Sequence, residues 1–148
     1  MHAFSYFTAP QRPLFLEMAQ EMYHSGAVLR PVPEAYHQRT FDAILEPGAP
    51  VFGILLKQGE QPAGYAVASR YFSVEAGGQT LWIEDLYVRP AFRSQGFGRA
   101  FFSFLKREFE PSVSRFRLEV EPGNHRAIAL YTSLGFSVLP YVQMVQDA

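Results

Sequence analysis

Apolar side chains recur every three or four residues in two segments near the start of the chain. From residue 10 to residue 23 the apolar positions are Leu14, Phe15, Met18, Ala19 and Met22. In the segment "EAYHQRTFDAILEPG" the corresponding positions are Tyr36, Thr40, Phe41, Ile44 and Leu45. This spacing places each set on one side of a helix. We therefore predict two helices, joined by the breaker-rich loop "HSGAVLRPVP".

Short apolar runs bounded by turn residues predict strands on either side of these helices. The chain opens with "AFSYF", and "VFGILLK", "AGYAVASRYFSV" and "TLWIEDLYV" follow the second helix, separated by the turn segments "QGEQP" and "EAGGQ". Later, "SRFRLEV" alternates between apolar and charged residues, as in a strand with one buried side. Its inward set is Phe116, Leu118 and Val120, and its outward set is Arg115, Arg117 and Glu119.

Two more helices complete the pattern. A stripe of Phe101, Phe102, Leu105 and Phe109 follows "RSQGFG", and "HRAIALYTSLGF" is predicted to be a helix that ends at Gly135. Two final strands are expected near residues 136–139 and 142–145. The resulting order, β-α-α-β-β-β-α-β-α-β-β, predicts an α/β (α+β) fold in one domain over residues 1–148, with a central mixed, mostly antiparallel sheet flanked by helices.

Composition and charge exclude several classes of function. The net charge of −1 offers no general attraction to nucleic acid or to an acidic membrane, so neither is expected as a partner. The chain has no cysteine, and its four histidines (His2, His24, His37 and His125) lack ligand spacing, so no metal is expected. The start of the chain, "MHAFSYFTAPQRP", has no signal-peptide pattern, which predicts a cytoplasmic protein.

The segment "RSQGFG" is a candidate anion site, because it lies where a strand ends and a helix begins. Helix N-termini present unpaired N–H groups, and residues without side chains let an anion approach them. Gly96 and Gly98 are such residues, and Arg93 adds a forked cation suited to a diphosphate. A P-loop is excluded by Arg99 and a dinucleotide-binding loop by Phe101. A plain strand-to-helix turn remains the alternative on these residues alone.

The longer stretch "IEDLYVRPAFRSQGFGRAFF" resembles the acetyl-coenzyme A motif of the GNAT superfamily of N-acetyltransferases, whose signature is Arg/Gln-x-x-Gly-x-Gly/Ala. A second block of that family, an asparagine followed by a helix with Leu-Tyr and a closing Gly-Phe, is matched by Asn124, Leu130-Tyr131 and Gly135-Phe136. The resemblance extends along essentially the whole chain. It implies a GNAT-like fold that binds acetyl-CoA as co-substrate.

The resemblance also implies roles for individual residues. Backbone groups of the strand before the loop would pair with the pantetheine arm, the loop would hold the pyrophosphate, and the next helix would contact the arm from its N-terminus. The residues so assigned are Leu86, Tyr87, Val88, Arg93, Ser94, Gln95, Gly96, Phe97, Gly98, Arg99 and Asn124. Tyr131 matches the tyrosine that serves as general acid in the family and would also lie at the cofactor.

Carboxylate side chains are the candidates for binding and deprotonating the acceptor amine. "YFSV…LWIEDLYV" is similar to diamine and polyamine acetyltransferases, which implies that Glu84 and Asp85 bind or deprotonate the amine. Glu84 is the first candidate for the base, then Asp85 and then Glu119. Strict alternation puts Asp85 on the face of Ile83 and Tyr87, and Glu84 on the face of Trp82 and Leu86, whereas a bulge would change this. The acceptor pocket is expected to include His24 and Tyr36, with Tyr23 and Tyr71 as further candidates.

These observations predict an acetyl-CoA-dependent N-acetyltransferase that acts by direct attack of a primary amine of a small molecule, such as a diamine or polyamine. Two alternatives stay open: a protein or peptide N-acetyltransferase, and a non-catalytic acyl-CoA-binding regulatory domain. A homodimer is compatible with the aromatic fraction of 16%.

Overall fold

The computed structural model describes all 148 residues and contains five strands and four α-helices. The strands are β1 (His2–Tyr6), β2 (Val51–Gln58), β3 (Gln61–Ser73), β4 (Gly78–Val88) and β5 (Arg115–Leu118). The helices are α1 (Arg12–Tyr23), α2 (Glu34–Leu45), α3 (Phe97–Phe109) and α4 (His125–Ser133), with short 3-10 turns at Ala9–Gln11 and Pro90–Phe92. None of these helices has the length and apolar character needed to cross a membrane.

The five strands form a single sheet in the order β1-β2-β3-β4-β5. Strands β1 to β4 are antiparallel neighbours, whereas β5 pairs parallel to β4 after the chain has crossed through α3. A parallel neighbour requires such a crossover, because a tight turn can only join antiparallel strands. The predicted mixed, mostly antiparallel sheet flanked by helices is confirmed.

A separate apolar core covers each face of the sheet. On one face α3 buries Phe97, Phe101, Phe102, Phe104 and Leu105 against alternate residues of β2, β3 and β4. On the other face α1 and α2 bury Phe15, Met18 and Phe41 against Leu55 and Tyr65. The contacts of α1 and α2 are concentrated on β3 and β2. The β4–β5 half of that second face is therefore left open.

A β-bulge interrupts the pairing of β4 with β3 at Glu84. Val67 pairs with Asp85 and Ala68 pairs with Ile83, so Glu84 is the extra residue. Ile83 packs in the α3 core, but Asp85 bonds to Tyr23 on the opposite face. The prediction from strict alternation, that Asp85 shares a face with Ile83, is thus wrong, because the additional residue reverses the order of the side chains.

The two strands expected near residues 136–139 and 142–145 are not formed, and this prediction is also wrong. The segment has no ladder partner, and Val138, Val142 and Val145 are 88 to 92% exposed. Strand propensity reflects packing on a neighbouring strand, and alternation alone does not supply one. One side-chain bond ties this segment to the sheet, from the Tyr141 hydroxyl to Glu75 at 2.7 Å.

Gly64 should be the most sensitive glycine of the sheet, because a Cβ there would lie 2.0 Å from the carbonyl oxygen of Tyr87. We expect Gly64→Ala to destabilise the fold by at least about 2 kcal/mol, since backbone atoms must move apart to accept it. Gly123→Ala is the matched control, because nothing lies within 4 Å of its added methyl group. Urea unfolding measures the loss of unfolding free energy in each variant. An equally small loss in both would contradict the close approach of β3 and β4 at Gly64.

Candidate functional site

The outer edge of β4 is unpaired over its last residues. Pairing with β5 stops at Ile83 and Leu118, although β4 continues to Val88. The Arg89 N–H donates to the Ala63 carbonyl at 2.8 Å. The direction of hydrogen bonding alternates from residue to residue along an antiparallel strand. The backbone N–H and C=O of Tyr87, two residues before Arg89, therefore also point to β3, whereas those of Leu86 and Val88 point away from β3 into the gap beside β5. The N–H and C=O of Leu86 and the N–H of Val88 therefore have no strand partner, the Val88 carbonyl accepts from Arg93, and the backbone groups of Tyr87 are used by β3.

The loop before α3 presents a run of free amides. None of the N–H groups from Ser94 to Arg99 donates to a backbone carbonyl, and no side chain caps the helix. The first helical bond at this end runs from the Ala100 N–H to the Gly96 carbonyl at 3.0 Å. Gly96 has a φ of 82° and Ser94 a φ of 62°, both left-handed. Such a turn of consecutive N–H groups at a helix start favours an anion.

Three arginines lie around this loop. The Arg93 Nε donates to the Val88 carbonyl at 2.9 Å, which fixes the guanidinium at the end of β4. Arg126, on α4, donates to the Ser94 hydroxyl, and Arg99 donates to the Ser133 hydroxyl at 2.9 Å. None of the three is within ion-pair distance of a carboxylate. Arg126 was missed from the sequence, although its position two residues after Asn124 was a signal for it.

Gly98 and Asn124 each have a structural role next to the loop. A Cβ on Gly98 would lie 2.7 Å from the Leu130 Cδ2, so this glycine allows α3 and α4 to pack closely. The Asn124 side-chain oxygen accepts from the Ala127 N–H at 3.2 Å and thereby caps α4. The predicted contacts of both residues with a cofactor stay predictions. The amide nitrogen of Asn124 remains available for one.

Glu84 lies on the open half of the sheet face that also carries Trp82. Its carboxylate accepts from the Ser69 hydroxyl at 3.3 Å and has no cationic partner. Desolvation by the surrounding protein raises the pKa of Glu84, the Ser69 bond opposes this, and the charges of Asp85 and Glu119 raise it further. A carboxylate with a raised pKa that solvent can still reach is suited to accept a proton near neutral pH.

Asp85 is more deeply buried than Glu84 and has different partners. It accepts from the hydroxyls of Tyr23 and Tyr65, each at 3.0 Å, while the His37 ring stacks edge-on against Tyr23 at 4.7 Å. Burial raises the pKa of Asp85, and the two tyrosine bonds and the charge of His37 lower it, with a net rise. Tyr65 and His37 were missed from the sequence, because only long-range packing brings them to Asp85.

Tyr131 approaches from the other face of the sheet. Its ring packs edge-on against Phe102 at 5.8 Å and Phe136 at 5.9 Å, and its hydroxyl has no hydrogen-bond partner in the protein. Burial raises the pKa of Tyr131, so the phenol keeps its proton well above neutral pH. Groups on opposite faces can act on one atom only where the sheet is open, and the gap between β4 and β5 is such a place.

The remaining predicted acceptor residues lie further out. The His24 Nδ1 is 2.8 Å from the Gln20 carbonyl of its own helix, and Tyr36 is 48% exposed with the Arg39 guanidinium over its ring. Glu119 directly follows β5, close enough for its charge to act on Glu84. No group of three metal-ligand side chains is present, and the expected absence of a metal stays a prediction.

The sheet and this loop define an α/β protein that offers an anion-binding turn beside an open strand edge. Residues 14–136 match the family model described as the acetyltransferase (GNAT) family. The chain belongs to this family. It is 33% identical over 105 residues to the thialysine N-epsilon-acetyltransferase of Bos taurus, across 68% of this chain and 55% of that protein. The chain thus spans about half the length of this relative.

Two solved structures show the same fold. A possible acetyltransferase from Clostridium difficile 630 has a TM-score of 0.84 at 16% identity, over 100% of this chain and 98% of its own. The aminoglycoside N-acetyltransferase AAC(6')-Iy in complex with CoA has a TM-score of 0.79 at 15% identity, over 99% of this chain and 95% of its own.

Asp85→Asn should stabilise the protein at neutral pH. Because burial raises the pKa of Asp85, the folded protein disfavours the charged form, and stability is lost as pH rises through the folded-state pKa. We expect a higher Tm than wild type at pH 7, and this gain in Tm should shrink on acidification and vanish below a pH of about 3, where the carboxyl is protonated in both states. Asp42→Asn, at an exposed ion pair, is the control. A gain that grows on acidification would overturn this account.

Proposed function

We propose that residues 1–148 form a single acetyl-CoA-dependent N-acetyltransferase domain that modifies a primary amine of a small molecule by direct attack. The observation that carries this proposal is the juxtaposition of free amides at Ser94 to Arg99, the open edge of β4 and the unpaired carboxylate of Glu84. The name of the bovine relative supports an amine acceptor of small size.

The residues present fit acetyl-CoA. A diphosphate needs several N–H donors and a cation, and the free amides with Arg93 and Arg126 supply both. The amide-rich pantetheine arm needs backbone partners, and the N–H and C=O of Leu86 and the N–H of Val88 offer them at the edge of β4. When bound there, acetyl-CoA supplies the acetyl group as a thioester.

Glu84 is the proposed base. An alkyl ammonium has a pKa of about 10, so a proton must be removed at neutral pH before the nitrogen can attack. The Glu84 carboxylate receives this proton directly or through water, and its contact with solvent lets it release the proton again. Asp85 is a positioning residue, because it holds the Tyr23 and Tyr65 hydroxyls in place behind the acceptor site.

Tyr131 is the proposed acid, and the Leu86 N–H stabilises developing negative charge. The raised pKa of Tyr131 keeps the phenol protonated, so that it can donate at the leaving atom. A backbone N–H in the gap acts by its position and costs no reorganisation during the reaction. Proton removal by Glu84 and donation by Tyr131 then proceed from opposite faces of the sheet.

Acetyl-CoA binding should depend on Arg93. We expect Arg93→Gln to weaken binding about tenfold or more in calorimetry, because it removes the guanidinium charge that the Val88 carbonyl holds beside the proposed diphosphate site. Arg107→Gln, on the exposed side of α3, is the matched control and should bind like wild type. Wild-type protein with no measurable affinity for acetyl-CoA would disprove the proposed function.

The pH profile of kcat/KM should report Glu84, because this parameter reflects the ionisations of the free enzyme. We expect the acid limb to lie above the ordinary glutamate pKa, because desolvation raises the pKa of Glu84 and only the deprotonated form is a base. Ser69→Ala removes the bond that lowers this pKa, so the limb should move to still higher pH. Ser103→Ala, on the exposed side of α3, should leave it in place. A limb unaffected by Ser69→Ala would argue against Glu84 as the base.

Turnover should also require the Tyr131 hydroxyl. We expect Tyr131→Phe to lower kcat by about a hundredfold, with little effect on stability, since that hydroxyl has no partner in the fold. Thiol release with an accepted amine measures it. Phe102→Leu, which alters the packing of Tyr131 but no proton donor, is the control for a merely displaced ring. Unchanged turnover of Tyr131→Phe across pH would remove Tyr131 from the mechanism.

A further inference from the structure

Helix α3 covers only part of its face of the sheet. It ends at Phe109, and an open cleft with a volume of about 520 Å³ lies at that end of the helix. Four adjacent strands line the cleft with one side chain each, and residues 48–50 form its rim. The four strand residues are Tyr6, Phe52, Arg70 and Gln79. The volume lies in the range of roughly 300–1,000 Å³ that is typical of small-molecule sites.

Polar residues in this cleft continue rows of core residues along the strands. In β3, Arg70 follows Ala66 and Ala68 at alternate positions, and both alanines lie in the core beneath α3. In β4, Gln79 precedes Leu81 of the same core by two positions. Side chains two residues apart share a face, so Arg70 and Gln79 point to the core side of the sheet. Polar groups at such positions are unfavourable unless a partner or a ligand satisfies them.

The fold supplies no partner for the polar side chains of the cleft. Those of Tyr6, Arg70 and Gln79 make no hydrogen bond within the protein, and no carboxylate lies within 4.0 Å of Arg70. The Arg70 guanidinium carbon lies 5.5 Å from the centre of the Phe109 ring, a contact that uses its charge but none of its N–H donors. Burial raises the pKa of Tyr6, the charge of Glu108 adds to the rise and the charge of Arg70 opposes it, so both charges act on this phenol.

The charges around the cleft favour a carboxylate as its ligand. Glu108 is exposed, so water screens its charge, whereas Arg70 is half-buried and is screened less. The carbonyl of Phe109 accepts from the N–H groups of Ser112 and Val113 at 2.8 and 3.0 Å, and it does not compete for the donors of Arg70. A guanidinium binds a planar pair of oxygens with two parallel hydrogen bonds. Because the cleft holds one cation and a carboxylate stands nearby, a monoanion is favoured over a phosphate.

We propose that this cleft binds a small aromatic carboxylic acid, at a site separate from that of acetyl transfer. The carboxylate lies on the Arg70 guanidinium, and the Tyr6 hydroxyl and the Gln79 amide supply further donors. The rings of Phe52 and Phe109, stacked at 5.0 Å, provide an apolar wall for the flat body of the ligand. The 13 residues of α3 separate the cleft from the loop of free amides. At about 1.5 Å per residue this distance is about 20 Å, so an acid in the cleft leaves those amides accessible.

NMR titration of the isotope-labelled protein with 1-naphthoate and 1-naphthamide tests this site. The two probes share one ring system, but only 1-naphthoate carries a charge. We expect wild type to bind 1-naphthoate at least about tenfold more tightly, because the amide cannot form the charge-assisted pair. Arg70→Met should weaken binding of 1-naphthoate about tenfold or more and leave that of 1-naphthamide nearly unchanged. Arg117→Met is the matched control and should bind both probes like wild type, because that guanidinium lies over the Trp82 ring on the opposite face of the sheet.

A second variant covers the case in which Arg70→Met does not fold. Tyr6→Phe removes a half-exposed hydroxyl that has no partner in the fold, and it should weaken binding of 1-naphthoate severalfold. Urea unfolding checks the fold of each variant. The amide signals that shift on titration should belong to residues 48–52, 68–70 and 79, whereas those of residues 94–99 should stay in place.

Several results would overturn the inference. They are the absence of 1-naphthoate binding at millimolar concentration, equal affinity for the two probes, and binding of 1-naphthoate that neither Arg70→Met nor Tyr6→Phe weakens. Signal shifts confined to residues 94–99 would place the acid at the loop before α3 and would overturn it as well. None of these measurements involves acetyl transfer, so the inference and the proposed function stand or fall separately.

Discussion

The early end of β5, which leaves β4 unpaired on that side beyond Ile83, is the constraint on which the candidate site depends. The two strands pair over only four residues, and β4 then continues to Val88 with β3 as its sole neighbour. An unpaired strand edge is usually a liability, because its N–H and C=O groups invite non-specific pairing. Here the edge leads directly into a loop whose own amides are also unpaired. Both sets of unsatisfied groups open on one gap, which favours a ligand with a polar chain and an anionic end.

The bulge at Glu84 is the second constraint, because it places two consecutive carboxylates on one face. In a regular strand either Glu84 or Asp85 would point into the phenylalanine core beneath α3, where an unpaired charge is costly. The bulge avoids this and gives the two residues unequal surroundings. Asp85 is fixed by two tyrosine hydroxyls, whereas Glu84 keeps one hydroxyl partner and its contact with solvent. Only Glu84 can therefore exchange its proton readily.

Much of this fold could be predicted from the sequence, because the helices and the first five strands carry clear periodicity. The strand-to-helix junction at Gly96 and Arg93 could also be predicted from the sequence, and its capacity for an anion stays a prediction. The bulge at Glu84 could not be predicted, because it depends on how Val67 and Ala68 pair with β4. The contacts of Tyr65 and His37 with the Asp85 region likewise arise from packing between distant segments.

The prediction of two final strands was wrong for the same reason, because a strand depends on a distant segment to pair with it. The alternation of residues 136–145 shows that they could form a strand if a neighbouring strand were available. The sheet ends at β5, which is paired only to β4, so these residues have no partner strand. Propensity is local, but a ladder requires a second backbone at the right distance and register. Alternation near a chain's last elements is for this reason weaker evidence than the same pattern within the β2–β4 meander.

The close contact of α3 with α4 bears on the position of Tyr131 relative to the open edge of the sheet. Tyr131 lies on the α3 side and Glu84 on the other, so in the proposed mechanism they reach one reacting atom only at the unpaired edge of β4. The position of Tyr131 is then set by how α4 sits on α3. Gly98 lets Leu130 approach closely, and a side chain there would push the helix and its tyrosine away. If Tyr131 is the acid as proposed, the second glycine of the loop contributes through packing, in addition to any contact with an anion.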